Sequence, residues 1–102
     1  MIILEMICDA TFIYFSFSDK NVGLTFNMLK KLDDFANSRE YIFRFDERDC
    51  EFYIWVNYRI MTREELLSVI DEIKRITEYN SLDLRVRNIV NTRSVDVNLN
   101  GG

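Results

Sequence analysis

Two segments of the chain carry apolar residues at helical spacing on one side only, and this pattern constrains the fold most. The first predicted helix spans 22–37, and its apolar stripe is Val22, Phe26, Leu29, Leu32, Phe35 and Ala36. The second begins after Thr62, a good N-cap, and Glu65 three residues later completes a capping box. Its stripe is Leu66, Val69, Ile70, Ile73 and Ile76, and Asn80 is its expected C-terminal stop. A helix with one apolar stripe needs another layer to cover it, so both helices are predicted to pack on a sheet.

The residues before the first helix are predicted to form a β-hairpin. Residues 2–17 read as one apolar strand, but at about 3.3 Å per residue that strand would be roughly 50 Å long. A domain of this size is about half as wide, so the segment is expected to fold back at Asp9-Ala10. This turn pairs Met6 with Ile13 and Leu4 with Phe15.

Four further strands are predicted after the first helix. Glu40–Phe45 and Cys50–Tyr58 are joined by a polar loop at 46–49, which pairs Arg44 with Glu51. Residues 82–87 alternate strictly between apolar and polar, which predicts an edge strand. A polar turn at Asn91-Thr92 leads to a last strand at 95–99.

The element order ββα-ββα-ββ predicts an α+β fold, with a mostly antiparallel sheet and both helices on one face. Its core is expected to be ferredoxin-like, with Thr11–Phe17 and Glu51–Tyr58 as central strands because both faces of each are apolar. A β-grasp-like variant of the first half is the alternative. The 102 residues are predicted to form a single domain, 1–102, with residues 100–102 as a flexible tail.

The composition argues against most familiar catalytic chemistry. The chain has no His, which excludes Ser-His and Cys-His nucleophiles and His-ligated zinc. Three Gly leave no phosphate-binding loop. Cys8 and Cys50 are isolated and lack basic neighbours, so reduced, packed thiols and a cytoplasmic location are expected. No apolar run reaches 18 residues, so no membrane span is expected. We therefore expect a protein that is not an enzyme and has no cofactor and no metal.

Aromatic residues are predicted to gather on the sheet face away from the helices. The alternation places Phe12, Tyr14, Tyr53 and Trp55 there, beside Arg44, Arg85 and Arg87. Such a face is typical of a protein-binding surface, including a homodimer surface, and covering by the chain's own termini is an alternative. In layout it also resembles the RNA-recognition-motif domains, whose open-sheet aromatics stack on bases, and this implies single-stranded RNA or DNA binding as an alternative.

A second candidate surface is the acidic turn between the two middle strands, at Asp46, Glu47 and Asp49. The net charge of -4 argues against general nucleic-acid binding and favours a basic partner. Together these features favour a non-catalytic protein-binding module. The form expected is a small acidic inhibitor that blocks a toxin or a nucleic-acid enzyme, such as an immunity protein, an antitoxin or a phage-type antagonist.

The last two residues allow a third hypothesis. A tail that ends in Gly101-Gly102 after a final strand resembles the ubiquitin-like modifiers and sulfur carriers. That resemblance implies a carrier whose terminal carboxylate is activated by an ATP-dependent enzyme.

Overall fold

The described part of the polypeptide forms two helices and five strands. A computed structural model describes residues 9–17, 24–46, 48, 51–78 and 82–99. In chain order the elements are β1 (Ala10–Phe17), α1 (Phe26–Ser38), β2 (Ile42–Asp46), β3 (Glu51–Asn57), α2 (Arg63–Thr77), β4 (Leu82–Val90) and β5 (Arg93–Val97). The predicted α+β class, with a largely antiparallel sheet, is confirmed. No helix among these residues has the length and apolar character needed to cross a membrane.

The five strands form one antiparallel sheet in the order β2-β3-β1-β4-β5. β1 and β3 are interior strands, as their apolar character on both faces predicts. β4 is also interior, between β1 and β5, so the prediction that it is an edge strand is wrong. Apolar and polar residues alternate in β4 because one face of the sheet lies toward the helices and the other toward solvent. An interior strand and an edge strand of such a sheet both show this pattern. The five-stranded order is not the four-stranded ferredoxin order, because β5 lies beyond β4.

Both edges of β1 are occupied by strands from much later in the chain. Ile13 lies opposite Ile54 of β3 on one side and Val86 of β4 on the other. The predicted pairing of Ile13 with Met6 is therefore wrong, because no edge of β1 is left for it at this position. Residues 1–8 lie outside the described part of the chain. The β-grasp-like alternative depended on that opening hairpin and loses its basis.

The β2–β3 hairpin has the predicted partners but a different register. Arg44 lies opposite Tyr53, where the loop length predicted Glu51, and Phe45 lies opposite Phe52. The shift is two residues, an even number, so each side chain keeps its predicted face. At the far side of the sheet, Asn91 and Thr92 form the predicted two-residue turn, with φ of 50° and 69°. These angles are those of a type I′ hairpin turn.

Both helices have well-formed N-caps. The Thr25 hydroxyl accepts from the Met28 N–H at 3.2 Å, and the Thr62 hydroxyl accepts from the Glu65 N–H at 3.1 Å. α1 starts at Phe26, whose side chain is 83% exposed, so the prediction that it joins the buried stripe is wrong. The residue occupies the first position of the helix, ahead of the turns that pack on the sheet. α2 ends at Thr77 with Glu78 in the left-handed conformation, and Asn80 lies outside the described residues.

One apolar core joins both helices to one face of the sheet. Buried residues of α1 and α2 form a single cluster with the alternate residues of β1, β3 and β4 that include Ile13, Ile54 and Val86. The five stripe residues predicted for α2 are all buried. The opposite face of the sheet therefore carries the other alternate residues, and this is the face on which the sequence places the aromatic side chains.

Candidate functional site

Four aromatic side chains lie side by side on the sheet face that points away from the core, which we call the open face. Phe12 and Tyr14 of β1 lie opposite Trp55 and Tyr53 of β3. The ring centroids of Phe12 and Trp55 are 5.1 Å apart, and those of Tyr14 and Tyr53 are 5.7 Å apart. Tyr53 and Trp55 are stacked at 5.3 Å with 11° between their planes. We call these four residues, all half-buried, the aromatic cluster. The structure thus brings together the aromatic residues predicted from the sequence.

Two of the predicted arginines flank the cluster on β4 and are already neutralised. Arg85 lies opposite Tyr14, with its guanidinium carbon 4.6 Å from the ring centroid. It also donates to Glu51 at 2.9 Å, and this hydrogen bond is the main reason that the pKa of Arg85 is raised. Arg87 donates to Asp96 of β5 at 3.1 Å. Each guanidinium therefore has a carboxylate partner within the same face.

The third arginine, Arg44 of β2, lies beside the cluster opposite Tyr53. Its Nη1 donates to the main-chain oxygen of Phe43 at 2.9 Å. Among the described residues, Arg44 has no carboxylate within ion-pair distance. On the opposite flank, Asp83 of β4 lies opposite Ser16, and it is an exposed acid with no cation partner among those residues. Arg44 and Asp83 are therefore two charges of opposite sign on the open face that have no ion-pair partner among the described residues.

Acidic groups outnumber basic ones on the described open face. The arginines are the three given above, whereas the acids are Asp46, Glu51, Asp83 and Asp96. Strand alternation alone is enough to place the first three acids on this face. Asp96 was missed, because its place beside Arg87 depends on the β4–β5 register. The balance leaves little positive potential to attract phosphate groups.

Buried polar atoms usually have a hydrogen-bond partner, and the indole nitrogen of Trp55 differs in this respect. Nε1 is buried and has no hydrogen-bond acceptor among the residues that the structure describes. A buried donor without an acceptor costs about 1–3 kcal/mol. Trp55 therefore contributes to the open face through ring contact alone.

The acidic turn is described only in part. Asp46 ends β2, and its Oδ1 accepts from the Arg48 N–H at 2.9 Å. Glu47, Asp49 and Cys50 lie outside the described residues, as do Cys8 and the terminal Gly-Gly. The predicted acidic surface, the predicted state of the thiols and the carrier hypothesis therefore remain predictions.

A second group of hydrogen bonds, which includes charged side chains, lies at the N-terminal end of α2. Arg59 donates to both carboxylate oxygens of Glu65, at 2.6 and 2.7 Å, and the Tyr41 hydroxyl donates to the same carboxylate. The hydrogen bonds from Arg59 lower the pKa of Glu65, and burial is the main cause of the raised pKa of Tyr41. A lowered carboxyl pKa and a raised phenol pKa are unsuited to acid–base work near neutral pH. These hydrogen bonds hold the segment that leads from β3 into α2 against the first turn of the helix.

A groove that was not predicted from the sequence lies on the helix side of the sheet. It has a volume of about 520 Å³ and is lined by Leu67, Ile70, Lys74, Leu82, Leu84, Val97, Asn98 and Leu99. The alternating apolar residues of β4 and β5 are the signal that could have indicated it. Within the described ranges, no group of three His, Cys, Asp or Glu side chains is arranged to hold a metal ion.

The open face is thus an aromatic cluster bordered by arginines. Its described residues include more acids than bases, and Arg44 and Asp83 have no ion-pair partner among them. Such an arrangement can bind another surface by contact and charge pairing. Comparison of the chain with models of protein families, with curated proteins and with solved structures found no match.

Proposed function

We propose that this protein is a non-catalytic protein-binding module that docks a partner protein on its open face. The observation that carries the proposal is the aromatic cluster with Arg44 at its margin. Tyr, Trp and Arg are the side chains most enriched among the residues that dominate binding energy at protein interfaces. Rings held against one another in a sheet lose little conformational entropy when a partner covers them.

A protein partner is favoured over single-stranded RNA or DNA by the charges of the same face. Binding to a nucleic-acid backbone draws its affinity from unpaired cations that neutralise phosphates. Arg85 and Arg87 are engaged by carboxylates at 2.9 and 3.1 Å, and the described acids outnumber the arginines. A partner protein can match such a mixed surface with charges of both signs.

The form we propose is a small acidic inhibitor that acts in the cytoplasm by covering the working surface of its partner. The net charge of -4 steers encounters with basic surfaces, such as the cleft of a toxin or a nucleic-acid enzyme. An immunity protein, an antitoxin and a phage-type antagonist all work in this way. The acidic turn that includes Asp46 is the second surface through which such a protein would act.

We further propose that the elements from β1 to β4 form a ferredoxin-like core, with β5 as an addition at one edge. The support is the βαββαβ order of these six elements and the antiparallel arrangement β2-β3-β1-β4. A ferredoxin-like core leaves one sheet face free of helices, which is the condition for docking on the open face.

The proposal is tested by capturing partners from a lysate of the source cells with immobilised wild type and two variants. Tyr53→Ala truncates the centre of the aromatic cluster, and Phe26→Ala is the control, because Phe26 is 83% exposed and belongs to α1. We expect Tyr53→Ala to weaken binding of the recovered partner at least about tenfold, as is typical of a central interface residue. Phe26→Ala should bind like wild type.

A third variant, Asp46→Arg, separates the acidic turn from the aromatic cluster. Weaker binding by this variant together with normal binding by Tyr53→Ala would refute docking on the aromatic cluster and place the contact at the acidic turn. Equal binding by all three variants would refute both surfaces. A purified partner enzyme whose activity is unchanged by saturating protein would refute the inhibitor form.

A further inference from the structure

Arg44 and Asp83, which have no ion-pair partner in the described part of the chain, lie on opposite flanks of the aromatic cluster. Arg44 is on β2 and Asp83 is on β4, and the two strands of the cluster, β3 and β1, run between them. Three strand spacings separate β2 from β4, which is about 14 Å across the sheet. Arg44 and Asp83 therefore cannot neutralise each other within one molecule.

A second copy of the chain would supply an opposite charge for both Arg44 and Asp83. Two open faces that meet are related by a two-fold axis lying in the plane between them. An axis that passes over the aromatic cluster exchanges its flanks, so that Arg44 of each molecule faces Asp83 of the other. Such an isologous contact forms the same pair twice. The remaining arginines, Arg85 and Arg87, bring their own carboxylates, Glu51 and Asp96, so covering these two guanidiniums does not leave them unpaired.

We propose that, in the absence of its partner protein, the open face is covered by a second copy of this chain through reciprocal Arg44–Asp83 pairs. This inference rests on the proposed function, because it takes the docking surface of that function as the dimer surface. It adds a regulatory consequence: self-association competes with the partner protein. The groove beside β5 offers no comparable match, since Lys74 is its one charged lining residue.

Sedimentation equilibrium of purified protein tests the pairs through two charge reversals. Arg44→Asp places two acids together at each pair, and Asp83→Arg places two arginines together. Each variant alone is expected to associate at least about a hundredfold more weakly than wild type, because two like-charge contacts replace two attractive ones. An equimolar mixture of the two variants is expected to form a heterodimer, since each reversed residue then faces an opposite charge.

Asp71→Arg is the matched control, because Asp71 is an exposed acid on α2. It should dimerise like wild type. Misfolded variants cannot restore association on mixing, so recovery in the mixture also reports intact folds. Circular dichroism of each variant provides a second check.

A wild type that stays monomeric up to about 0.5 mM would overturn the inference, since a docking surface of this kind should be largely paired at that concentration. So would a dimer that is indifferent to both reversals, or a mixture that remains monomeric. These outcomes leave docking of a partner protein on the open face standing, because that proposal is refuted by a captured partner that is insensitive to Tyr53→Ala and not by the oligomeric state. The two failures are therefore distinguishable.

Discussion

Replacement of Thr11 by Val should destabilise the protein although it leaves the volume of the side chain almost unchanged. Thr11 lies on the core side of β1 and is completely buried. Its hydroxyl donates to Asn88 of β4 at 2.7 Å and accepts from the main-chain N–H of Met61 at 2.9 Å. Met61 directly precedes the N-cap of α2. This one hydroxyl therefore ties the central strand to its neighbour and to the start of the second helix.

The expected loss of stability follows from the hydrogen-bonding groups that the substitution leaves without a partner. The Met61 N–H is buried and would have no acceptor, which costs about 1–3 kcal/mol. Asn88 is half-buried and can recover part of its hydrogen bonding from water, so its share is smaller, about 0.5–1 kcal/mol. We expect Thr11→Val to lower the free energy of unfolding by about 2–3 kcal/mol. For a domain of this size the midpoint of thermal unfolding should fall by about 10 °C or more.

Urea unfolding followed by Trp fluorescence and by circular dichroism measures this loss. Thr11→Ser is the matched control, because it keeps the hydroxyl and deletes one methyl group, at a cost of about 1 kcal/mol. The predicted order of stability is wild type, then Thr11→Ser, then Thr11→Val. If the Val variant were as stable as the Ser variant or more stable, the hydroxyl would not be the stabilising group, and the reasoning would be refuted.

The parts of the fold that were predictable from the sequence are those fixed by local signals. The second helix has an N-cap at Thr62 and a continuous apolar stripe, so its start and its buried face follow from residues close together in the chain. The sheet face on which each strand residue lies is similarly predictable, because the alternation along the strand assigns it without knowledge of the partner strand. For this reason the aromatic cluster was predicted correctly even though the β2–β3 register was not.

The parts that were not predictable depend on which strands meet. An apolar strand such as β1 has the same pattern whether its neighbour is the adjacent segment or a strand from the end of the chain. The pairing of Ile13 with Ile54 and Val86 is therefore invisible to local reasoning. The pair Arg87–Asp96 has the same origin. Only one half of the predicted capping box forms: the Thr62 hydroxyl caps the helix, but the Glu65 side chain binds Arg59 and Tyr41 instead of reaching back to the helix start.

Three further substitutions test other features of the structure. Thr92→Gly should stabilise the protein by about 0.5–1 kcal/mol in urea unfolding, because a β-branched residue at φ 69° is strained and Asn91-Gly is the preferred type I′ pair; a loss of stability would contradict this. Trp55→Phe should leave stability within about 1 kcal/mol of wild type by thermal circular dichroism, since lost ring contact is offset by removal of the unpaired Nε1 donor, and a loss of about 3 kcal/mol would imply an acceptor. Glu65→Gln should cost about 1 kcal/mol at pH 7, because the substitution removes a two-pronged ion pair with Arg59. The ion pair lowers the pKa of Glu65 in the folded protein, so its contribution is present above the ordinary pKa of 4.5 and is lost as the pH falls below that value. Wild type and Glu65→Gln should therefore converge in stability in acid, and a difference that stays constant from pH 7 downwards would show that the ionised carboxylate is not its source.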